Sequence, residues 1–275
     1  MKKYFFIILF STIFTAMIFL PKSFGQKEAA IFQIEKGQSL REISANLEKD
    51  GLIWWSPLFR VYSFLRGRAG NLQAGCYRLS SAMNITKISG ILSSGLVAKE
   101  KITIPEGFTS EQIQQTLKDV TRSNLAALAE REGYLFPDTY EIPYCAGQDK
   151  VVEIMTGNFS RKTAGLKITP KIVVMASLLE KELITKEDKE IASGILWKRL
   201  RVGMPLQVDA DKWTYEHYGL PQKPISNPGL ESIEAALNSK ESPYFYYLST
   251  PAGKTIFSRT LEEHNIARAK YLTGK

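Results

Sequence analysis

The stretch Thr169-Pro-Lys-Ile-Val-Val-Met-Ala-Ser-Leu-Leu-Glu-Lys-Glu-Leu183 sets the plan of the chain. Thr169 suits a helix N-cap, where its side-chain oxygen satisfies an orphan backbone N–H, and Pro170 suits the first helical position. From Lys171 to Leu183 there is neither Gly nor Pro, which predicts a helix. At about 100° per residue, Ile172, Met175, Ala176, Leu179 and Leu183 fall on one apolar stripe. Val173, Val174 and Leu178 lie outside that stripe, so protein should cover the first turns on several sides. Glu180 and Glu182 flank the stripe at opposite edges. Burial at the rim of an apolar helix penalises a charged carboxylate, raises its pKa and suits it to general-acid work. Two solvated glutamates near a helix end are the plainer reading of the same pattern. Helical geometry alone does not choose between the two residues.

Working outward, Lys189 to Leu200 reads as a second helix, and Gly203-Met-Pro-Leu-Gln-Val-Asp209 as an extended return bringing Gln207 and Asp209 towards the first. Pro221, Pro224 and Pro228 enforce a long loop from Leu220 to Gly229. A helix over Glu231–Leu237, a hairpin of Tyr244–Ser249 and Thr255–Ser258, and a last helix from Leu261 to about Leu272 come next. Upstream, Glu132–Glu141 is aromatic and turn-rich, and Val151 to about Phe159 is helical. Nearer the start, Ala30–Ile34 reads as a strand, and Ser39 caps a helix from Leu40 to about Leu47. Similar strand–turn–cap–helix runs recur before Ile88 and before Ile113, the last capped by Thr109. Ser56–Leu65 adds an aromatic helix. The expected fold class is α+β: a small βα subdomain over 26–100 that resembles LysM-type glycan-binding modules, then a mixed α/β domain over 101–275.

The 275 residues, 44% hydrophobic, can bury a sizeable core. Met1-Lys-Lys3 precedes the uncharged, apolar-dominated run Tyr4–Leu20, at the lower limit for a membrane-spanning helix. Residues 1–25 are therefore expected to form a single-pass membrane anchor, a cleaved signal sequence being the alternative that Ser23-Phe-Gly25 allows. Lys2 and Lys3 stay inside, which places the rest outside the cytoplasm. The net charge of +8 falls to +5 without Lys2, Lys3 and Lys22. A moderately basic exported domain suits anionic envelope polymers or lipid headgroups, and no basic run with interleaved aromatics argues for nucleic acid. Cys76 and Cys145 can pair in an oxidising compartment or stay as free thiols. With His217 and His264 the only histidines, no metal site is expected, and no cofactor.

Six stretches occur in register: Ile104-Pro-Glu-Gly-Phe-Thr109, Gly133-Tyr-Leu-Phe-Pro-Asp-Thr-Tyr140, Ala176-Ser-Leu-Leu-Glu-Lys-Glu182, Lys198 to Asp209, Gly219-Leu-Pro221 with Ile225-Ser-Asn-Pro-Gly-Leu230, and Glu263-His-Asn265. Together they resemble the endolytic murein transglycosylases of the YceG-like family, from about Ile31 to the C-terminus. The resemblance implies a peptidoglycan lytic transglycosylase, held in the cell (inner or cytoplasmic) membrane with its catalytic part on the periplasmic side. It implies cleavage within glycan strands near cell-wall synthases, ending the elongation of nascent strands. It assigns the proton donor to Glu180. A lone glutamate would protonate the glycosidic oxygen between N-acetylmuramic acid and N-acetylglucosamine. It would then take a proton from the muramyl C6 hydroxyl as a 1,6-anhydro ring closes. Such a residue must rest protonated.

Gln207 and Asp209 match the family's Leu-Gln-x-Asp and are expected to bind sugar or orient the site. Tyr215, Asn227 and Glu182 are expected to line the same cleft, and His264 either lines it or serves as buried structural support. Val208 stands where the family usually has Thr or Ser, and the segment after Asp209 is shorter than the family's. A hydrolase using Glu180 with Asp209, or a non-catalytic LysM-like glycan-binding envelope protein, are the alternatives.

Overall fold

The computed structural model describes residues 12, 15–24, 28–121 and 123–272. Most of the apolar run Tyr4–Leu20 lies outside these residues. No helix among the described residues is long and apolar enough to cross a membrane, so the expected anchor is not carried by them. The chain divides into two compact units. One comprises Met1–Lys101, Val120–Arg122 and Glu141–Ala146; the other comprises Ile102–Asp119, Ser123–Tyr140 and Gly147–Lys275. Sheet structure among the described residues is limited to three two-stranded pairs. Helices and small separate sheets fit the α+β class.

In the first unit β1 (Ala30–Ile34) pairs antiparallel with β2 (Gly75–Leu79), Phe32 opposite Tyr77. The elements α1 (Leu40–Lys49), α2 (Ser56–Leu65) and α3 (Ile85–Ser94) supply the rest of its core. Ser39 caps α1 in a full capping box with Glu42: the serine hydroxyl accepts from the Glu42 N–H, and the Glu42 carboxylate accepts from the Ser39 N–H at 2.8 Å. Asn84 caps α3, its side chain accepting from the Lys87 N–H. The cysteine pairing that the sequence left open is decided in favour of a Cys76–Cys145 disulfide, with Cα atoms 6.0 Å apart.

The strand β3 (Lys99–Thr103) pairs with β4 (Thr139–Pro143), and α4 (Ser110–Thr121) lies between them in sequence. The second unit continues with α5 (Gln148–Lys162), α6 (Pro170–Glu182), α7 (Lys186–Arg201), the single turn α8 (Trp213–Glu216) and α9 (Leu230–Leu237). A hairpin of β5 (Tyr246–Ser249) and β6 (Thr255–Ser258) and a final α10 (Leu261–Tyr271) complete it. Every residue of α6 from Val173 to Leu179 is buried. This helix is therefore the spine of the core, with α7 and α9 packed on it. Its first turn is as the sequence predicts: Thr169 accepts from the Ile172 N–H, and Pro170 occupies the first position.

Candidate active site

The end of α6 presents Glu180 and Glu182 to different surroundings. Glu180 turns towards α7 and α9. Its Oε1 receives Lys189 Nζ at 3.1 Å, its Oε2 receives the Gly229 N–H at 2.8 Å, and the Glu180 and Lys189 side chains are 6% and 3% exposed. Gly229 is the N-cap of α9, so the carboxylate meets the positive end of that helix. Glu106 packs there too: a Cβ on Gly229 would lie 1.9 Å from its Oε1. Burial, and next the Glu180 charge, push the Glu106 carboxyl above its ordinary range. Both Glu180 oxygens thus accept a hydrogen bond, one of them from an ammonium.

Glu182 lies on the other side, against the return from α7. A cavity of about 220 Å³ opens there, lined by Glu182, Arg199, Gln207, Asp209, Tyr215 and His264 together with Tyr246, Tyr247 and parts of α10. Glu182 Oε1 accepts the Ala210 N–H at 2.7 Å. Its carboxyl is pushed above the ordinary value chiefly by burial, aided by the Asp209 charge and opposed by the Ala210 hydrogen bond. Tyr215 donates its hydroxyl to Asp209 Oδ1. Burial, then that hydrogen bond, push the phenol up to about 12.

The return is shaped by a few hydrogen bonds. Thr214 receives the Val208 N–H at 2.8 Å on its hydroxyl and the Gln207 N–H at 3.1 Å on its carbonyl. Gln207 adopts φ 53°, an αL conformation uncommon for a residue other than glycine. Val208 is fully buried, so its apolar side chain belongs to the core while its neighbours Gln207 and Asp209 face the cavity. Arg199, 3% exposed, donates Nη1 to the Leu206 carbonyl at 2.6 Å and Nε to the Phe245 carbonyl at 2.8 Å. It thereby ties α7 to both the return and the β5 approach.

The structure brings Glu182, Gln207, Asp209, Tyr215 and His264 together. Asn227 is not among the residues lining that cavity; it lies nearer Glu180, its carbonyl accepting the Gly107 N–H at 2.9 Å. Asn227 is 1% exposed, and its amide donates to the Phe108 carbonyl at 3.0 Å and to Glu132 Oε1 at 2.7 Å while accepting the Leu135 N–H at 2.9 Å. Its groups are spent on joining three loops. His264 stacks on Tyr246 at 5.4 Å, and its Nδ1 has no hydrogen-bond partner. Burial, then Arg268 and Arg199, lower its pKa. Arg199, Tyr246 and Tyr247 were not singled out by the sequence reading. Their signals were an arginine in an otherwise apolar helix face and a run of aromatics, Tyr244-Phe-Tyr-Tyr247, leading into a short strand.

The sequence pattern of the YceG-like family matches residues 32–211 and 213–270. The chain belongs to that family. It is 27% identical to an endolytic murein transglycosylase of Bacillus subtilis, over 93% of this chain and 88% of that one. It is 24% identical to an endolytic murein transglycosylase of Streptococcus pneumoniae, again over 93% of this chain but only 61% of the longer relative. A 2.6 Å crystal structure of a yceG-like protein from Listeria monocytogenes superposes with a TM-score of 0.50 at 28% identity, covering 88% of this chain and all of the other.

Proposed function

We propose that this chain is an endolytic peptidoglycan lytic transglycosylase in which Glu182, rather than Glu180, is the acid and base. The observation carrying the assignment is the half-buried Glu182 carboxyl, pushed upward by burial and by Asp209, at the edge of the cavity that also gathers Gln207, Tyr215 and His264. Family membership and the names of the relatives support the reaction class.

In this mechanism a glycan strand threads the cleft with a MurNAc–GlcNAc linkage over Glu182. The protonated carboxyl donates to the glycosidic oxygen as the bond to the muramyl anomeric carbon breaks. The resulting carboxylate takes the proton from the muramyl C6 hydroxyl, whose oxygen attacks that carbon and closes the 1,6-anhydro ring. Water is not consumed, and Glu182 ends as it began. Asp209, engaged by the Tyr215 hydroxyl, favours a resting proton on Glu182 by like-charge repulsion and supports positive charge at the anomeric centre. Gln207 supplies an amide for sugar hydroxyls. Glu180 acts as a positioning residue: through Lys189 and Gly229 it holds α6, α7 and α9 together beneath the site. The LysM-like first unit would bind glycan, and a membrane-anchored enzyme beside cell-wall synthases would cut nascent strands and end their elongation.

Digestion of sacculi with wild type, Glu182→Gln and Glu180→Gln tests the assignment. Glu182→Gln is expected to lose at least about 10²-fold in rate with its melting temperature unchanged or raised. A Glu182→Gln variant that cleaves at the wild-type rate would overturn the reading. Mass spectrometry of the products addresses the reaction itself: anhydromuramyl ends are expected. Reducing ends in their place would favour hydrolysis with Asp209 as the second carboxylate.

A further inference from the structure

The first unit leaves one apolar face uncovered. The inner side of α2, Leu58, Phe59, Tyr62 and Ser63, is buried in the core. Its outer side carries Val61, Phe64 and Leu65 at 46%, 74% and 76% exposure, and Trp54 and Trp55, just before it, stand at 46% and 47%. At about 100° per residue Phe64, Pro57, Val61 and Leu65 fall on one side of the helix. Single exposed apolar residues are ordinary, but five along one short segment form a patch with a use.

The charge around this patch is one-sided. No Asp or Glu occurs between Asp50 and Glu100, while Arg60, Arg66, Arg68, Arg78, Lys87 and Lys99 do. Arg78 pairs with Glu100 and Lys99 with Glu141, whereas among the described residues no salt bridge to a carboxylate engages Arg60, Arg66 or Arg68. The nearest acid, Glu48, is already spent, accepting the Ser56 N–H at 2.9 Å with Lys22 and Arg60 nearby.

Residues 17–23, the end of the apolar leading run and the Pro-Lys-Ser after it, are fastened to the same unit. Met17 and Ile18 pack on its core, the Phe19 carbonyl accepts from Asn84 Nδ2 at 2.9 Å, and the Ser23 N–H donates to the Ser81 carbonyl at 3.0 Å. Both ends of α2 neighbour the elements that hold these residues. Lys22 lies beside Gly51 and Glu48, the latter bonded to the first residue of α2. At the other end Arg68 Nη1 reaches the Thr86 carbonyl at 3.5 Å, two residues from Asn84.

We propose that the outer face of α2, with Trp54, Trp55, Val61, Phe64 and Leu65 as the apolar wedge and Arg60 and Arg68 at its border, docks the first unit on an anionic lipid bilayer. Tryptophans prefer the headgroup level, aliphatic and phenyl groups reach the acyl boundary, and arginine stems lie along apolar surface with their charges at lipid phosphates. A sugar-binding face would instead set hydrogen-bonding amides and carboxylates among the aromatics, and the segment from Trp54 to Arg68 contains no Asn, Gln, Asp or Glu. The proposal does not depend on the glycan-cleavage reading.

The test uses the full chain in proteoliposomes whose acyl chains carry bromine, a short-range quencher of tryptophan emission. Two of the four tryptophans, Trp197 and Trp213, lie in the other unit. Bilayers containing phosphatidylglycerol are expected to quench the wild type, and Trp54→Phe/Trp55→Phe to lower that quenching at least about twofold. Phe64→Glu/Leu65→Glu, on exposed positions, is expected to melt like wild type yet lose quenching to the same degree. Arg60→Gln/Arg68→Gln is expected to lose it in anionic bilayers while matching wild type in purely zwitterionic ones. Quenching that persists unchanged in the tryptophan variant overturns the proposal. So does its absence in every bilayer, which would leave a protein or a glycan as the occupant of this face.

Discussion

Two glutamates separated by a single residue on α6 meet different surroundings because their side chains leave the helix about 200° apart. Glu180 points into the packing of α7 and α9 and is neutralised there by Lys189. Replacing it by Gln leaves a 3%-exposed ammonium without its counter-charge, a defect that costs about 3–5 kcal/mol. Chemical denaturation should register that loss, and Glu180→Gln/Lys189→Met should recover much of it. Activity at the rate permitted by the folded fraction is expected in both variants. Glu182 behaves in the other sense. Its folded pKa lies above its unfolded value of about 4.5, so as pH rises the unfolded chain releases this proton first. The stability tied to this group is present at acid pH and falls as pH rises through that window. The melting temperature of Glu182→Gln should therefore exceed wild type by a margin that grows as pH rises above the unfolded value of about 4.5. Cleavage should decline on the alkaline side as the resting proton is lost, and a rate that rises steadily with pH instead would count against Glu182 as the acid.

At the scale of elements, the site depends on how α7 and the return meet the rest of the second unit. Gly194, in the middle of α7, is there because the chain at Lys240 crosses directly over it: an added Cβ would lie 1.9 Å from the Lys240 carbonyl oxygen. Elsewhere in a helix Gly→Ala gains up to about 1 kcal/mol. Here the contact is with backbone, which cannot rotate away, so Gly194→Ala is expected to destabilise by about 1–3 kcal/mol, read from urea midpoints. Ser177 makes a similar join on α6. Its hydroxyl donates to the Val174 carbonyl at 2.7 Å and accepts the Ile225 N–H at 3.1 Å, so the proline loop before α9 is fixed to the helix that carries both glutamates.

Across the whole molecule, the Cys76–Cys145 bond links positions 69 residues apart. It returns Glu141–Ala146, which the chain reaches only after passing through the second unit, to the first. Cross-linking a loop of that length restricts the unfolded chain, and Cys76→Ala/Cys145→Ala is expected to lower stability by about 2–5 kcal/mol. The loss should appear as an earlier thermal transition, reproduced by reductant on the wild type and absent when reductant is added to the double variant.

What the sequence by itself determined was local. Caps at Ser39, Thr109 and Thr169, prolines that end elements, and apolar periods placed nearly all the helices, β1 and the β5–β6 hairpin, because those signals act within a few residues. The short α8 turn escaped, since its four residues hold shape through Thr214's bonds to the return rather than through any periodic pattern. The sequence also singled out Glu180 and Glu182 as candidates and brought Gln207, Asp209 and Tyr215 into the same argument. It could not choose between the glutamates by geometry, assign Asn227 to loop support, or find Arg199 and the β5 tyrosines. Those outcomes depend on partners 6 to 119 positions away along the chain. Only the tertiary structure decided which carboxylate would be paired with an ammonium and which would be left half-buried beside a cavity, because burial and charge neutralisation are properties of the neighbours a residue meets after folding.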